Sequence, residues 1–178
     1  QNVMAGWDQK AGRPITNDLV APPGNDDPVV SCPAATQAGK GQPSGAYSPV
    51  TNAMYMPMNN ACASIAAQRI RNPPSGLGAK PGTGFLTGSL THVPGADPAT
   101  ARIGRIDAIS ASTGKTLWKY EQRAPVYGSL LTTGGNLVFS GDVVRRFRAH
   151  HAETGKVLWE TILNGPVSGR PISYGVNG

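Results

Sequence analysis

Ser112-Thr113-Gly114-Lys115-Thr116-Leu117-Trp118 recurs as Glu153-Thr154-Gly155-Lys156-Val157-Leu158-Trp159, an offset of 41 residues. A weaker copy, Asp8-Gln9-Lys10-Ala11-Gly12-Arg13-Pro14, lies near the start, and Ser48-Pro49-Val50-Thr51-Asn52-Ala53-Met54-Tyr55 follows it by 40 residues. Self-similarity at a fixed period of this size is the mark of a repeat architecture. Each strong copy is a polar turn, in which glycine takes a positive φ that other residues resist, followed at once by an alternating strand. From Lys115 to Tyr120, Leu117 falls on one face while Thr116, Trp118 and Tyr120 share the other. Both faces can then be buried between neighbouring sheets, with the tryptophan covering the adjacent one.

One complete unit lies around the second strong copy. It divides into strands at Gly128–Thr133, Asn136–Ser140, Val144–His150 and Lys156–Leu163, separated by Gly134-Gly135, a polar turn and Thr154-Gly155. Four antiparallel strands in about 40 residues form a propeller blade. A β-sandwich with coincidentally similar turns does not account for the repeated tryptophan register. The expected fold is therefore all-β: a β-propeller of four-stranded antiparallel blades with tryptophan-docking repeats, spanning residues 1–178. Residues 63–100 break the period. They carry Pro73-Pro74, Gly76, Gly78, Pro81, Gly82 and Gly84 and read as a long irregular insertion, in which Phe85–Val93 can add an edge strand.

Composition agrees with strands and turns. Of 178 residues, 23 are Gly and 16 are Pro, which disfavours long helices, while 39% hydrophobic residues are too many for a disordered linker. No run of apolar residues is long enough for a transmembrane span. The net charge of +6 is spread along the chain, and its densest cluster, Arg145, Arg146 and Arg148, is split between two strand faces, so a nucleic-acid partner is not indicated. His150 and His151 are adjacent, point to opposite faces and cannot readily hold one metal, and His151 is placed to support a turn. Asp107 and Asp142 fall at expected strand ends, where carboxylates commonly bond turn amides. Cys32 and Cys62 lack the spacing of a zinc or redox pair and are either buried thiols or one disulfide. A bridge would stabilise the fold by roughly 3–4 kcal/mol and would imply an oxidising compartment. The first residue is Gln1, so an initiator Met or leader is expected to have been removed or to lie outside this sequence.

Ala46-Tyr47-Ser48-Pro49, Ala53-Met54-Tyr55-Met56-Pro57 and Asn59-Asn60-Ala61-Cys62 resemble the pyrroloquinoline-quinone (PQQ) dependent alcohol dehydrogenases. So do Thr113 to Arg123, Gly134 to Asp142 and Leu163 to Tyr174, in the same order and spacing. The resemblance implies an eight-bladed ring, of which this chain supplies about four blades from the C-terminal half. It implies a periplasmic enzyme that oxidises alcohols to aldehydes or ketones with PQQ and a Ca²⁺ or lanthanide ion, passing electrons to a c-type cytochrome. It also implies that Cys32 and Cys62 form a disulfide. The catalytic aspartate and the metal ligands belong to parts of the family pattern that this chain does not contain, so the chain alone is expected to be inactive and to need the remainder of the propeller. The resemblance points to two places that could touch the cofactor. Where the family has Asn-Trp before the strand's proline, with the asparagine bonding PQQ, this chain has Gly41-Gln42 before Pro43, so that Gln42 could replace the bond only by a local shift. Tyr127 stands where some members have a cofactor-facing tryptophan and could supply a ring and a hydroxyl or pack between blades. The competing expectation is a non-catalytic scaffold built from the same repeat, like the propeller that helps assemble outer-membrane proteins.

Overall fold

The computed structural model describes residues 4–16, 29–32, 39–69 and 84–176. Thirteen strands run through them. In chain order these are β1 (Met4–Asp8), β2 (Arg13–Thr16), β3 (Val29–Ser31), β4 (Ala46–Ser48), β5 (Ala53–Asn59), β6 (Cys62–Arg69) and β7 (Gly84–Thr91). There follow β8 (Gly104–Ser110), β9 (Thr116–Gln122), β10 (Leu131–Thr133), β11 (Leu137–Gly141), β12 (Arg146–His151) and β13 (Val157–Ile162). All pairings are antiparallel, and the chain divides into two compact units, Gln1–Ala38 with Ala61–Gly95, and Gly39–Asn60 with Ala96–Gly178.

The first unit contains the hairpin β1-β2 and the three-stranded sheet β3-β6-β7. The Asp8 carboxylate accepts the Lys10 and Ala11 amides, and Gly12 closes the hairpin turn with φ +64°. Cys32, just after β3, is disulfide-bonded to the fully buried Cys62 at the start of β6. β6 and β7 pair along their whole length, from Cys62 opposite Thr91 to Arg69 opposite Gly84. Within residues 63–100, then, 63–69 and 84–91 are regular strands. The expected Pro- and Gly-rich stretch from Pro73 to Gly82 lies outside the described residues.

The second unit contains two four-stranded sheets, β4-β5-β8-β9 and β10-β11-β12-β13. The latter is an unbroken meander at the four expected positions. β10 begins only at Leu131, because the amides of Ser129 and Leu130 bond Gly169 and Ser44 instead of β11. β12 begins only at Arg146, because Arg145 turns with φ +71°. In the other sheet the same order is interrupted once, between β5 and β8, where the chain leaves for β6 and β7.

The two strong turn copies have one geometry. Gly114 and Gly155 have φ of +68° and +72°, and their amides donate to Ser110 and His151 at 2.9 and 2.8 Å. The tryptophan that follows the first turn covers the second sheet. Trp118 Nε1 donates to the Ala152 carbonyl at 2.7 Å, and the ring lies so close to Gly155 that an added Cβ would sit 2.6 Å from it. Tyr55 packs against Trp118 and donates to the same carbonyl at 3.1 Å. Ala53, Tyr55, Ile106, Ala108, Leu130, Val138 and Ala152 form the core between the sheets. The expectation that both faces of β9 are buried is corrected: Leu117 is 53% exposed, because its face also carries the exposed Lys119 and Glu121.

Candidate functional site

Each four-stranded sheet of the second unit is preceded by an irregular lead-in, residues 39–45 before β4 and 125–130 before β10. Pro125-Val126-Tyr127-Gly128 recurs after β13 as Pro166-Val167-Ser168-Gly169. The structure aligns the three segments. The Ser44 amide donates to Ser129 Oγ at 2.9 Å, the Leu130 amide to the Ser44 carbonyl at 3.0 Å, and the Ser129 amide to the Gly169 carbonyl at 3.0 Å. The approach needs glycine at 141, where an added Cβ would lie 2.2 Å from Val167. Lys40 curls back onto the carbonyls of Gly41 and Pro43 and closes the first lead-in.

Gln42 and Tyr127 therefore stand on neighbouring, hydrogen-bonded segments. Gln42 is exposed, with its amide available to a ligand. Tyr127 is half-buried, and burial raises its pKa above the usual 10.0, so its hydroxyl stays protonated at neutral pH. Cys32 and Cys62 lie in the other unit. Among the described residues no three His, Cys, Asp or Glu side chains cluster so as to hold a metal ion, and no helix is long and apolar enough to cross a membrane.

A second polar constellation lies between the two sheets, and the sequence pattern did not disclose it. Asp142 Oδ1 accepts the Val144 and Arg146 amides at 3.0 Å each, which is the turn-bonding role expected of it. Its other oxygen accepts from Arg148 at 2.8 Å, and Arg148 also donates to Gln122 at 2.7 Å and pairs with Glu160 at 2.6 Å. Burial opposes the Arg148 charge, but the hydrogen bond and charge of Asp142, with Tyr120 and Glu160, more than offset it, and its pKa is raised. Arg146 also pairs with Glu160, so two arginines of the basic cluster are ion-paired, while Arg145 sits exposed in the turn. Asp107 does not cap a turn as expected. It lies in the middle of β8 and pairs with Arg105 two residues away on the same face, at 2.7 Å.

His150 is fully buried. Its Nδ1 lies 3.2 Å from the Gly155 carbonyl, which can only accept, so Nδ1 carries the proton and Nε2 accepts from Ser140 Oγ at 2.9 Å. This is the hydrogen bond of a general base to a hydroxyl, but Ser140 is only 2% exposed and no substrate can reach it, so the pair serves the inter-sheet core. His151 accepts the Glu153 amide and supports the turn, as its position suggests. Burial, and secondarily the charge of Arg148, lowers the His150 pKa below 6.5 despite the bond to Gly155. Stability from this pair is fully present above about pH 6.5 and declines below it, as the unfolded chain takes a proton that the folded chain refuses. Urea titrations at pH 7.5 and 5.5 are expected to show this loss, and His150→Gln is expected to flatten the dependence.

Residues 102–176 match the family model described as outer membrane protein assembly factor BamB. Over 137 residues the chain is 35% identical to quinoprotein alcohol dehydrogenase PedH of Pseudomonas putida, covering 74% of this chain and 21% of that protein. It is 32% identical over 179 residues to 1-butanol dehydrogenase (cytochrome c) of Thauera butanivorans, covering 99% of this chain and 25% of that protein. Among solved structures, a europium-containing methanol dehydrogenase superposes with a TM-score of 0.76 at 26% identity, covering 96% of this chain and 28% of the other. The quinohemoprotein alcohol dehydrogenase of Comamonas testosteroni gives 0.70 at 26% identity, covering 99% and 26%. The four-stranded antiparallel sheets thus match part of a quinoprotein propeller, and this chain is related to the PQQ-dependent alcohol dehydrogenases over about a quarter of their length.

Proposed function

We propose that the chain forms part of a quinoprotein dehydrogenase that oxidises an alcohol to an aldehyde or ketone, delivers the electrons to a c-type cytochrome and works in the periplasm. The observation that carries this reading is the juxtaposition of the Gln42 and Tyr127 lead-ins in a chain related throughout to such enzymes. The residues present suit one part of a PQQ site: an exposed amide that can donate and an aromatic ring with a protonated hydroxyl, on backbone held by hydrogen bonds. Bound PQQ supplies the two-electron acceptor that protein side chains lack. Gln42 and Tyr127 would bind and orient it, while the Ca²⁺ or lanthanide ligands and the catalytic aspartate would come from outside this chain. The disulfide supports an oxidising compartment.

The remainder of the propeller is the proposed partner. Trp159 is the repeat counterpart of Trp118, yet it is 50% exposed, and the Phe147 ring meets it edge-on. Gly114, the counterpart of Gly155, has open space where an indole would rest. The exposed Trp159 and the open turn at Gly114 each have their complement in the docked Trp118–Gly155 pair, as expected of a segment of a larger ring.

PQQ titration of the full-length protein, with and without Ca²⁺ or La³⁺, tests the reading. Tight metal-dependent binding is expected, weakened by Gln42→Ala and Tyr127→Ala. The BamB match favours a second reading, a non-catalytic scaffold, which would show no PQQ binding under any metal condition. The 178 residues alone are expected not to oxidise alcohols with an artificial acceptor.

A further inference from the structure

Asn59 ends β5 and is 5% exposed. Its main chain pairs with Gly39, at the head of the first lead-in: the Gly39 amide donates to the Asn59 carbonyl at 2.8 Å and the Asn59 amide to the Gly39 carbonyl at 3.0 Å. Its side chain pairs with Val126, the residue before Tyr127: Oδ1 accepts the Val126 amide at 2.9 Å and Nδ2 donates to the Val126 carbonyl at 3.3 Å. One residue thus anchors both lead-ins, one through its backbone and the other through an amide that imitates a strand neighbour.

We propose that Asn59 is a positioning residue that fixes the spacing between the Gln42 and Tyr127 segments for cofactor binding, an inference that rests on the proposed role of those two residues. The chemistry suits asparagine in particular. Aspartate has no donor for the Val126 carbonyl, glutamine is one methylene too long, and an aliphatic residue removes both partners of a buried peptide group. A binding site tolerates displacements of only about 0.5 Å in the residues that form it, so an anchor matters even when it is itself buried, as Asn59 is.

The test uses the full-length protein and compares Asn59→Ala with Val138→Ala, a core substitution between the sheets, and with Gln42→Ala and Tyr127→Ala. The measurements are amide hydrogen exchange by segment and the dissociation constant for PQQ with Ca²⁺ or La³⁺, taken well below the unfolding temperature. Asn59→Ala is expected to raise exchange selectively in 39–45 and 126–130, to leave β8 and β11 protected, and to weaken PQQ about tenfold, as loss of supporting contacts around a ligand does. Val138→Ala is expected to leave PQQ affinity unchanged. If Asn59→Ala behaves like Val138→Ala while the Gln42 and Tyr127 variants weaken PQQ, the cofactor site stands and the positioning role is overturned. If the Gln42 and Tyr127 variants leave PQQ affinity unchanged, the cofactor reading fails and the inference fails with it.

Discussion

Trp118→Ala is expected to destabilise the 178-residue chain by about 3–4 kcal/mol, the usual range for emptying a packed aromatic site. The indole supplies three things at once: contact with Tyr55, closure over the Gly155 turn, and the donor for the Ala152 carbonyl. Its loss leaves part of the inter-sheet core without a lid. Trp159→Ala removes the same residue at the same point of the repeat but from an exposed face, so a cost below about 1 kcal/mol is expected. Gly155→Ala against Gly114→Ala repeats the contrast on the receiving side. Both force alanine into a left-handed conformation, worth about 1–2 kcal/mol. At 155 the new Cβ also collides with the indole, whereas at 114 it meets nothing. Urea midpoints of the four variants test the docking directly. Equal costs for Trp118→Ala and Trp159→Ala would show that the indole does not stabilise the sheets by docking.

Arg148→Met is expected to cost about 3–5 kcal/mol, because it leaves the Asp142 carboxylate buried without its charge partner. The Asp142 and Arg148 side chains are 1% and 6% exposed, so water cannot replace the lost contact. The double variant Asp142→Asn with Arg148→Met is expected to lose less than the sum of the single changes, since the second substitution removes the charge that the first exposes. The Arg146–Glu160 pair is a control. Its side chains are 42% and 32% exposed, and Arg146→Met is expected to change stability by under about 1 kcal/mol. Additive single and double variants at 142 and 148 would rule out a coupled buried pair.

Much of the fold was legible from local pattern. The Thr-Gly turn demands positive φ, the strand after it must alternate, and a tryptophan in fixed register belongs to one face, so β9 to β13 fall near their expected places. Boundaries shifted where long-range bonds intervened, as at Ser129 and Leu130, whose amides go to Gly169 and Ser44. The regular pairing of β6 with β7 was hidden because Pro and Gly between two strands suggest irregularity, while pairing depends on whether each strand meets a partner.

Of the candidate site, the sequence singled out Gln42 and Tyr127 only through likeness to a family, and the lead-in repeat at Pro125 and Pro166 is visible in it. Asn59 was not legible as an anchor, because its side-chain partner lies 67 residues away and an asparagine at a strand end has many local uses. The Ser140–His150 bond and the Asp142–Arg148 pair were concealed similarly: which face of a strand is buried, and against what, is settled by the neighbouring sheet. By itself the sequence determined the repeat, the strand and turn alternation and the tryptophan register, since these follow from backbone sterics and a period of two. Only the tertiary structure decided which tryptophan is docked, which charges are buried in pairs and which segments flank the candidate site, because those depend on groups brought together from distant parts of the chain.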